Sequence, residues 1–321
     1  MLENSIDHSL KDRAAAAARQ EGFLYSGIVD LGLCETLLTI HIARYDRWLE
    51  AQFEGEMGYL KRGRDRRANP SLLLPSVQSV FCVLAPYGAK PLGDTTGVSG
   101  PRFARYLRGT DYHDELKSSL NRVAERIKSQ DVKLEAKVCV DTSAVLERTW
   151  ASFCGLGWIG KNTLLIHPKI GSYHFIGVIL LSARSGVGPN CLPNYCGHCS
   201  RCLDSCPTRA FTNENLLDAR KCISYLTLER KTLEPGSDDF VNSKLRESKW
   251  VAGCDICQEV CPFNRKRELE ADALSEKTFS IPLGWSELES ISEAEYREKT
   301  AGSSLNRMKP TQFRRNLAAI R

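Results

Sequence analysis

The sequence has no long apolar run and no recognisable export signal. No stretch approaches the roughly 20 apolar residues that a membrane-spanning helix needs. The N-terminus has no basic region followed by an apolar core and no pair of arginines, so we expect neither a secretory nor a twin-arginine leader. These absences argue against a membrane protein and predict a cytoplasmic one.

Composition leaves several functions open. The 321 residues can form one large or two moderate domains. A net charge of +5 permits an anionic partner without requiring one. The 13 cysteines, without an export signal, indicate a reducing compartment in which thiolates serve metals.

Cysteine spacing is the strongest signal in the chain. One run follows the bacterial two-cluster ferredoxin pattern and ends in Cys-Pro, with cysteines at Cys196, Cys199, Cys202 and Cys206. A second run ends in the same way, with cysteines at Cys254, Cys257 and Cys261. Its first cysteine is missing because Val251 stands there, and Cys222 lies upstream to replace it.

The eight thiols divide into two four-iron sites without remainder. In the ferredoxin pattern the cysteine before proline reaches across to the other cluster. The predicted ligands of the first 4Fe-4S cluster are Cys196, Cys199, Cys202 and Cys261. Those of the second are Cys206, Cys222, Cys254 and Cys257. Zinc is the alternative, but zinc ribbons use two well-separated cysteine pairs.

Five cysteines remain outside these sets. Cys82 and Cys139 lie in apolar runs, where a free cysteine behaves as a small buried hydrophobe. Cys191 lies close to the cluster motif but exceeds the ligand count, so we expect it not to bind iron.

The hydrophobic pattern predicts an α+β fold with three regions. An α/β-layered catalytic domain spans 1–190, a ferredoxin-like domain with two clusters spans 191–270, and a helical C-terminal tail spans 271–321. Helices are predicted over 9–20, 40–53, 111–129, 221–230, 287–299 and 311–320, with another opened by Pro207. Strands are predicted over 79–85, 132–140, 163–166 and 173–181.

Two features of the first region have both a functional and a structural interpretation. The glycine-punctuated loop over 155–162 could hold a phosphate, but it fits neither the P-loop nor the dinucleotide fingerprint, and a tight turn explains its glycines as well. Asp141 ends a strand-like run, so its carboxylate could face a cleft or cap a helix beginning near Glu147.

Basic residues form three candidate anion-facing groups. In each case a solvated surface is the alternative. The groups are the segment 61–67, then Arg102, Arg105 and Arg108, and in the tail Arg307, Lys309, Arg314 and Arg315.

Together the motifs resemble the epoxyqueuosine reductases, and the resemblance covers nearly the whole chain. Besides the eight cysteines, it rests on Met57-Gly58-Tyr59-Leu60, Arg105-Tyr106 with Tyr112-His113, Val140-Asp141-Thr142, Leu146-Glu147-Arg148 and Gly155-Leu156-Gly157-Trp158-Ile159-Gly160-Lys161-Asn162. The cysteine spacing and the Glu-Arg and glycine-loop block are specific only in combination.

The resemblance implies a cobalamin-dependent oxidoreductase that acts on tRNA. It would reduce the epoxide of epoxyqueuosine at the wobble position to give queuosine, with two 4Fe-4S clusters as electron carriers. Asp141 would donate the proton that the departing epoxide oxygen needs. An apolar cleft would raise the pKa of such a carboxyl enough to serve.

The resemblance also implies a cobalamin site and partners. The residues expected to contact cobalamin are Met57, Arg105, Asp141, Lys161, Asn162, Ser224 and Tyr225. No Asp-x-His-x2-Gly motif is present to supply a lower-face histidine. We expect an external low-potential electron donor, a monomer, and a tail that starts a HEAT-like region. The alternatives are a reductive-dehalogenase-like enzyme and an iron–sulfur electron carrier without a substrate.

Overall fold

A computed structural model describes residues 9–87, 100–107, 109–231, 239–265 and 285–320. Arg108 and residues 271–284 of the predicted tail lie outside this range. The helices are α1 (Leu10–Gln20), α2 (Glu35–Glu50), α3 (Gly58–Arg62), α4 (Arg64–Ala68), α5 (Tyr112–Lys128), α6 (Glu147–Phe153), α7 (Arg201–Asp204), α8 (Ile223–Leu228), α9 (Asp239–Ser248), α10 (Ile256–Glu259), α11 (Pro262–Arg265), α12 (Trp285–Ser290), α13 (Glu293–Thr300) and α14 (Pro310–Ile320).

The strands complete a mixed fold of helices and sheets, as the sequence predicts. They are β1 (Tyr25–Asp30), β2 (Ser79–Pro86), β3 (Arg102–Phe103), β4 (Ala136–Cys139), β5 (Trp158–Ile159), β6 (Leu165–Ile166), β7 (His174–Leu181), β8 (Phe211–Asn213), β9 (Leu216–Leu217) and β10 (Trp250–Ala252). Among the described residues, none of the helices has the length and apolar character required to span a bilayer.

The main sheet is antiparallel throughout and has the order β1-β2-β7-β4. Successive side chains of a strand face opposite sides of a sheet. On one side Phe81 and Val83 of β2 pack with apolar residues of α1 and α5. On the other side Val80, Cys82 and Leu84 pack with residues of α2 and α6. Cys82 and Cys139 are fully buried, which confirms their prediction as core residues.

Local signals explain where α5 begins and which face it buries. The carboxylate of Asp111 accepts the backbone N–H of His113, which satisfies one of the free amides at the helix start. Leu116, Leu120 and Val123 recur at three- and four-residue spacing and are fully buried against the sheet. The cap therefore fixes His113 in the first turn of a helix that the sheet holds in place.

A second hydrophobic core is formed by the predicted cluster region together with the regions before and after it in the chain. It contains Phe103 and Leu107, segments of α8, α9 and β10, and apolar residues of α12 to α14. Strand β3 pairs in parallel with β10, and the guanidinium of Arg102 lies 4.1 Å from the ring centroid of Trp250. This core draws on all three predicted regions.

Several predicted boundaries are wrong for identifiable reasons. The helix predicted over 287–299 is divided into α12 and α13, because Ser292 forms a capping box with Glu295 and starts a new helix. Pro207 lies in a turn, whereas Pro262 opens α11. The strand predicted over 132–140 is limited to β4, and Val132 is 94 % exposed.

Candidate functional site

The four predicted ligands of the first cluster lie together although the chain separates Cys261 from the rest. Cys196 and Cys199 lie in an exposed loop, Cys202 lies in α7, and Cys261 lies between α10 and α11. Burial raises the pKa of Cys202 to about 11, and the nearby Cys196, Cys261 and Cys199 act in the same direction. The thiols are therefore close enough to disfavour one another's charge.

The predicted second set is also brought together, in a more buried place. Cys222 immediately precedes α8, Cys257 lies in α10, and Cys254 lies just before α10. Burial raises the pKa of Cys257 well above its usual range, and the neighbouring Cys254, Cys222 and Cys206 act in the same direction. Cys222 and Cys254 pack against the second hydrophobic core.

Both sets suit the positive charge of the iron in an iron–sulfur cluster. Burial raises the pKa of Cys202 and Cys257, and bound iron would stabilise the deprotonated form of these thiols. Within the described residues, no three His, Cys, Asp or Glu side chains converge tightly enough to hold a single metal ion. A four-iron cubane holds its thiolates farther apart than one ion does.

Buried hydrogen bonds fix the loop that carries Cys254 and Cys257. Asp255 is 1 % exposed and accepts the backbone N–H of Arg105 at 2.7 Å. Gln258 donates to Asp255 at 3.0 Å and accepts the hydroxyl of Ser172 at 2.9 Å. The second set is thereby attached to the start of β7 and to the segment after β3.

Asp141 lies in the loop after β4, in a backbone conformation that few residues adopt. Its φ is 44°, in the left-handed region that asparagine and aspartate tolerate better than most residues. Its backbone N–H donates to Glu147 Oε1 at 2.6 Å, and its side chain does not cap α6. The carboxylate instead lies 2.8 Å from Nε2 of His113.

His113 joins two carboxylates in a hydrogen-bonded chain. Its Nδ1 lies 2.6 Å from Asp111 Oδ1, and Arg307 donates to the other oxygen of Asp111 at 3.0 Å. Burial alone would lower the pKa of His113, but the hydrogen bonds to Asp141 and Asp111 raise it above the ordinary value. The chain therefore favours a protonated histidine next to Asp141.

Acidic groups surround this histidine–aspartate pair. Burial and the charge of Asp141 raise the pKa of Glu147 to about 8. The same two causes raise the pKa of Glu229, whose neighbour Tyr59 donates a hydrogen bond to it. The side chain of Asp141 itself is 54 % exposed, and its carboxylate meets the polar ring of His113.

The residues expected to contact cobalamin have different neighbours in the fold. Tyr225 lies beside Met57, since its hydroxyl accepts the backbone N–H of Glu56 at 2.8 Å. Both residues contribute to the second hydrophobic core. Ser224 is half-buried in α8, next to this place. The guanidinium of Arg105 lies 4.7 Å from the ring centroid of Tyr173.

Lys161 and Asn162 lie towards the first cysteine set. Lys161 pairs with Glu214 at 2.8 Å and interacts electrostatically with Cys196 and Cys199. Asn162 is 3 % exposed, and its Nδ2 has no hydrogen-bond partner among the described residues. A buried amide without a partner is costly, and a polar group of a bound cofactor would satisfy it.

Several basic residues predicted to face an anion are used within the protein. Arg67 is buried, Arg102 pairs with Glu259 at 2.9 Å, and Arg315 donates to backbone carbonyls at the end of α8. In the segment 61–67 the exposed basic residues are Lys61, Arg62 and Arg66. In the tail Lys309 is exposed.

Sequence reasoning missed the roles of Asp111, Glu147 and Trp158. From the sequence, Asp111 could be predicted only as a helix cap. It does cap α5, and its carboxylate also bonds the ring of His113. Glu147 stands in the Leu-Glu-Arg segment, and Trp158 in the glycine loop. The position of Glu147 and Trp158 in those segments was the available sequence signal. The group that each side chain contacts is visible only in the fold.

Two family models match the chain. Residues 195–264 match the 4Fe-4S double cluster binding domain. Residues 67–142 match the model described as epoxyqueuosine reductase QueG, DUF1730. The first match contains all eight predicted cluster ligands, and the second ends just after Asp141.

Curated relatives and solved structures agree with these matches over most of the chain. An epoxyqueuosine reductase of Synechococcus sp. (strain RCC307) is 35 % identical, over 98 % of this chain and 95 % of that protein. A crystal structure of an epoxyqueuosine reductase with an epoxyqueuosine-modified tRNA-Tyr stem loop is 27 % identical, with a TM-score of 0.75, over 96 % of this chain and 80 % of that one.

A third comparison concerns the catalytic loop. The epoxyqueuosine reductase of Bacillus subtilis, in a structure with its aspartate-bearing catalytic loop swung out of the active site, is 26 % identical. Its TM-score is 0.77, and the match covers 96 % of this chain and 80 % of that one.

Proposed function

The chain belongs to the epoxyqueuosine reductase family, and from this premise we propose that it converts epoxyqueuosine to queuosine at the wobble position of tRNA. The chain is therefore an oxidoreductase. The observation that carries the proposal is the gathering of eight cysteines into two sets in a chain that also pairs His113 with Asp141. The cysteine sets supply electrons, and the pair supplies a proton.

Two 4Fe-4S clusters and cobalamin are the cofactors. The cysteine sets would hold the clusters, and Met57, Ser224, Tyr225 and Asn162 offer apolar and hydrogen-bonding contacts for a corrin. When bound, cobalamin supplies a low-potential metal centre that can open the epoxide. The chain's own residues must then orient the substrate, exclude competing reactions and deliver the proton.

Asp141 is proposed as the group that protonates the departing oxygen. It lies in a short loop, with its carboxylate exposed towards solvent on one side and bonded to His113 on the other. A protonated His113 can restore the proton after each turnover, because its Nε2 lies 2.8 Å from the carboxylate. Asp111 holds the imidazole in place through Nδ1.

Electrons arrive from an external low-potential donor, through the first cluster. The loop around Cys196 and Cys199 is exposed, and its Tyr195 is 53 % exposed. The second set packs against the second hydrophobic core, which Met57 also contacts. This order puts the second cluster between the surface and the proposed corrin site. We also propose that the protein is a monomer and that it has the three regions that the sequence predicts, 1–190, 191–270 and 271–321.

Anaerobic reconstitution tests the function. The chain loaded with iron, sulfide and cobalamin should show a corrinoid spectrum and convert epoxyqueuosine in tRNA to queuosine, detected by nucleoside analysis. A protein that takes up both clusters but no corrinoid would be an electron carrier, and the proposal would fail. A corrinoid-loaded protein inactive on epoxyqueuosine tRNA would point to another substrate.

The rate should fall at high pH through His113. Its pKa lies above the ordinary 6.5, and only the protonated ring can restore the proton of Asp141. Steady-state rates, measured with electrons supplied in excess, should therefore be level at low pH and fall above pH 6.5. In His113→Gln that falling limb should disappear, because the ring that titrates is gone.

Glu147 provides the control for this profile, because its pKa of about 8 lies in the same range. Glu147→Gln should keep the falling limb. If His113→Gln keeps the limb and Glu147→Gln removes it, Glu147 is the titrating group and His113 has no part in proton supply.

Binding of tRNA should depend on the exposed basic residues of α3 and α4. Tyr59 of α3 lies close enough to Asp141 for the charge of Asp141 to raise its pKa, so this surface borders the site. Each basic side chain removed from a phosphate should lower the slope of log affinity against log salt by about 0.7 to 0.9. Replacing Lys61, Arg62 and Arg66 together by serine should therefore reduce the slope by about 2.

A matched variant removes three exposed basic residues elsewhere, Lys11, Arg19 and Lys133. It should leave the salt slope unchanged, as measured by tRNA binding across ionic strengths. Equal slopes for the two variants would mean that α3 and α4 present only a solvated surface.

A further inference from the structure

The indole of Trp158 contacts the first cysteine set. It is 3 % exposed, and its Nε1–H donates to Sγ of Cys196 at 3.5 Å. The same ring packs in one buried group with Cys261, which the chain separates widely from Cys196. Trp158 therefore bonds one of the four predicted ligands and lies in the same apolar group as a second, one from each end of the set.

Aromatic rings hold the indole in this position. The ring of Phe263 meets it edge-on at a centroid distance of 4.8 Å, and that of Tyr195 at 5.0 Å. Because two rings contact it, the N–H cannot turn away from the sulfur without disturbing both. The hydrogen bond is thus built into the packing.

The glycines of the 155–162 segment shape the backbone that carries Trp158. Trp158 pairs with Ile166 across the β5–β6 hairpin. A Cβ on Gly157 would collide with the carbonyl oxygen of Ile166, so only glycine allows the two strands to approach. The segment thus combines turns with the short strand β5, and it presents an indole N–H to the first cysteine set.

We propose that Trp158 sets the reduction potential of the first cluster through this hydrogen bond. The inference rests on the proposed function, because it requires Cys196 to be a cluster ligand. Reduction adds one electron, and hence one negative charge, to the cluster. A donor on a ligand sulfur stabilises that charge and raises the potential. Burial strengthens the effect, since little water competes for the N–H.

A raised potential eases the arrival of electrons. The predicted ligands Cys196 and Cys199 lie in an exposed loop, so an external donor can approach the first cluster. With Trp158 in place, the external low-potential donor keeps a larger fraction of the first cluster reduced. Without the hydrogen bond, only a stronger reductant would keep it reduced.

The test is Trp158→Phe, which keeps an aromatic ring but removes the N–H. Both clusters are titrated anaerobically and followed by electron paramagnetic resonance. The midpoint potential of the first cluster should fall, while that of the second stays at the parent value as an internal control. Turnover should slow with a weak donor and recover with excess strong reductant.

Trp150→Phe is the matched control. Trp150 is also buried, but it belongs to the sheet core, and its Nε1 has no hydrogen-bond partner among the described residues. It should leave both potentials unchanged.

The outcomes separate this inference from the proposed function. Fewer than about eight irons in the parent protein would contradict the cluster assignment itself. Eight irons with an unchanged first potential in Trp158→Phe would overturn the role of Trp158 alone. Loss of the first cluster in that variant would also overturn it, because Trp158 would then be a structural residue of the site.

Discussion

Cys222→Ala should leave about four irons per chain in place of about eight and abolish epoxide reduction. Cys222 is the replacement for the cysteine missing at Val251, and it lies with Cys206, Cys254 and Cys257. Removing one of four thiolates opens that site. The first set keeps all its ligands, so its cluster should persist. Electrons would then stop at the first cluster.

Iron and sulfide analysis with electron paramagnetic resonance measures this result, and Cys191→Ala is its control. Cys191 is an exposed cysteine five residues before the first ligand. Its removal should leave both clusters and the rate intact. Iron loss in Cys191→Ala, or eight irons retained in Cys222→Ala, would show that the ligand sets are wrong.

Asp141→Asn should lower the rate of epoxyqueuosine turnover by roughly 10²–10⁴-fold, the range for a lost general acid. Asparagine has the size of aspartate and tolerates the left-handed backbone at this position, where φ is 44°. Its amide can still bond His113. The variant should therefore keep both clusters, bind cobalamin and bind tRNA, and lose only the acid.

Single-turnover rates together with cofactor and tRNA binding measure this effect. Asp114→Asn is the control, since Asp114 is exposed and stands in the first turn of α5 beside His113. Full activity in Asp141→Asn would exclude the proton-donor role and make His113 or Tyr106 the next candidate. Loss of cobalamin together with activity would make Asp141 a structural residue.

The two cysteine sets could be predicted from the sequence because cluster binding requires cysteines at short, characteristic spacings. All the predicted ligands except Cys222 are separated from another ligand by only two or three residues, and the count closes only when Cys222 is included. The family models and relatives support the cofactors and the function expected from these motifs. Helix α5 could be predicted for a similar reason, because its cap and its buried face are encoded by nearby residues in the sequence.

Other features of the structure depend on tertiary packing, which local sequence patterns do not show. Arg67 and Arg315 were predicted to face an anion, yet the fold buries or half-buries them. The bond between Asp141 and His113 could not be predicted either, because it forms only when α5 packs against the sheet and brings His113 to the loop after β4. The glycine loop could be interpreted as a turn, but the contact of Trp158 with Cys196 joins segments that pattern analysis treats separately.

The bond between Arg307 and Asp111 has a consequence for how the protein is made. The two residues are 196 positions apart, and the segment before Arg307 also touches the start of α5 through Gly302. At a synthesis rate of roughly 5–20 residues per second, about 10–40 s separate their emergence from the ribosome. During that interval Asp111 lacks its arginine partner. The hydrogen-bonded chain around His113 is thus completed only after both cysteine runs have been translated, so a chain that stalls before Arg307 has its cysteines but lacks this arginine.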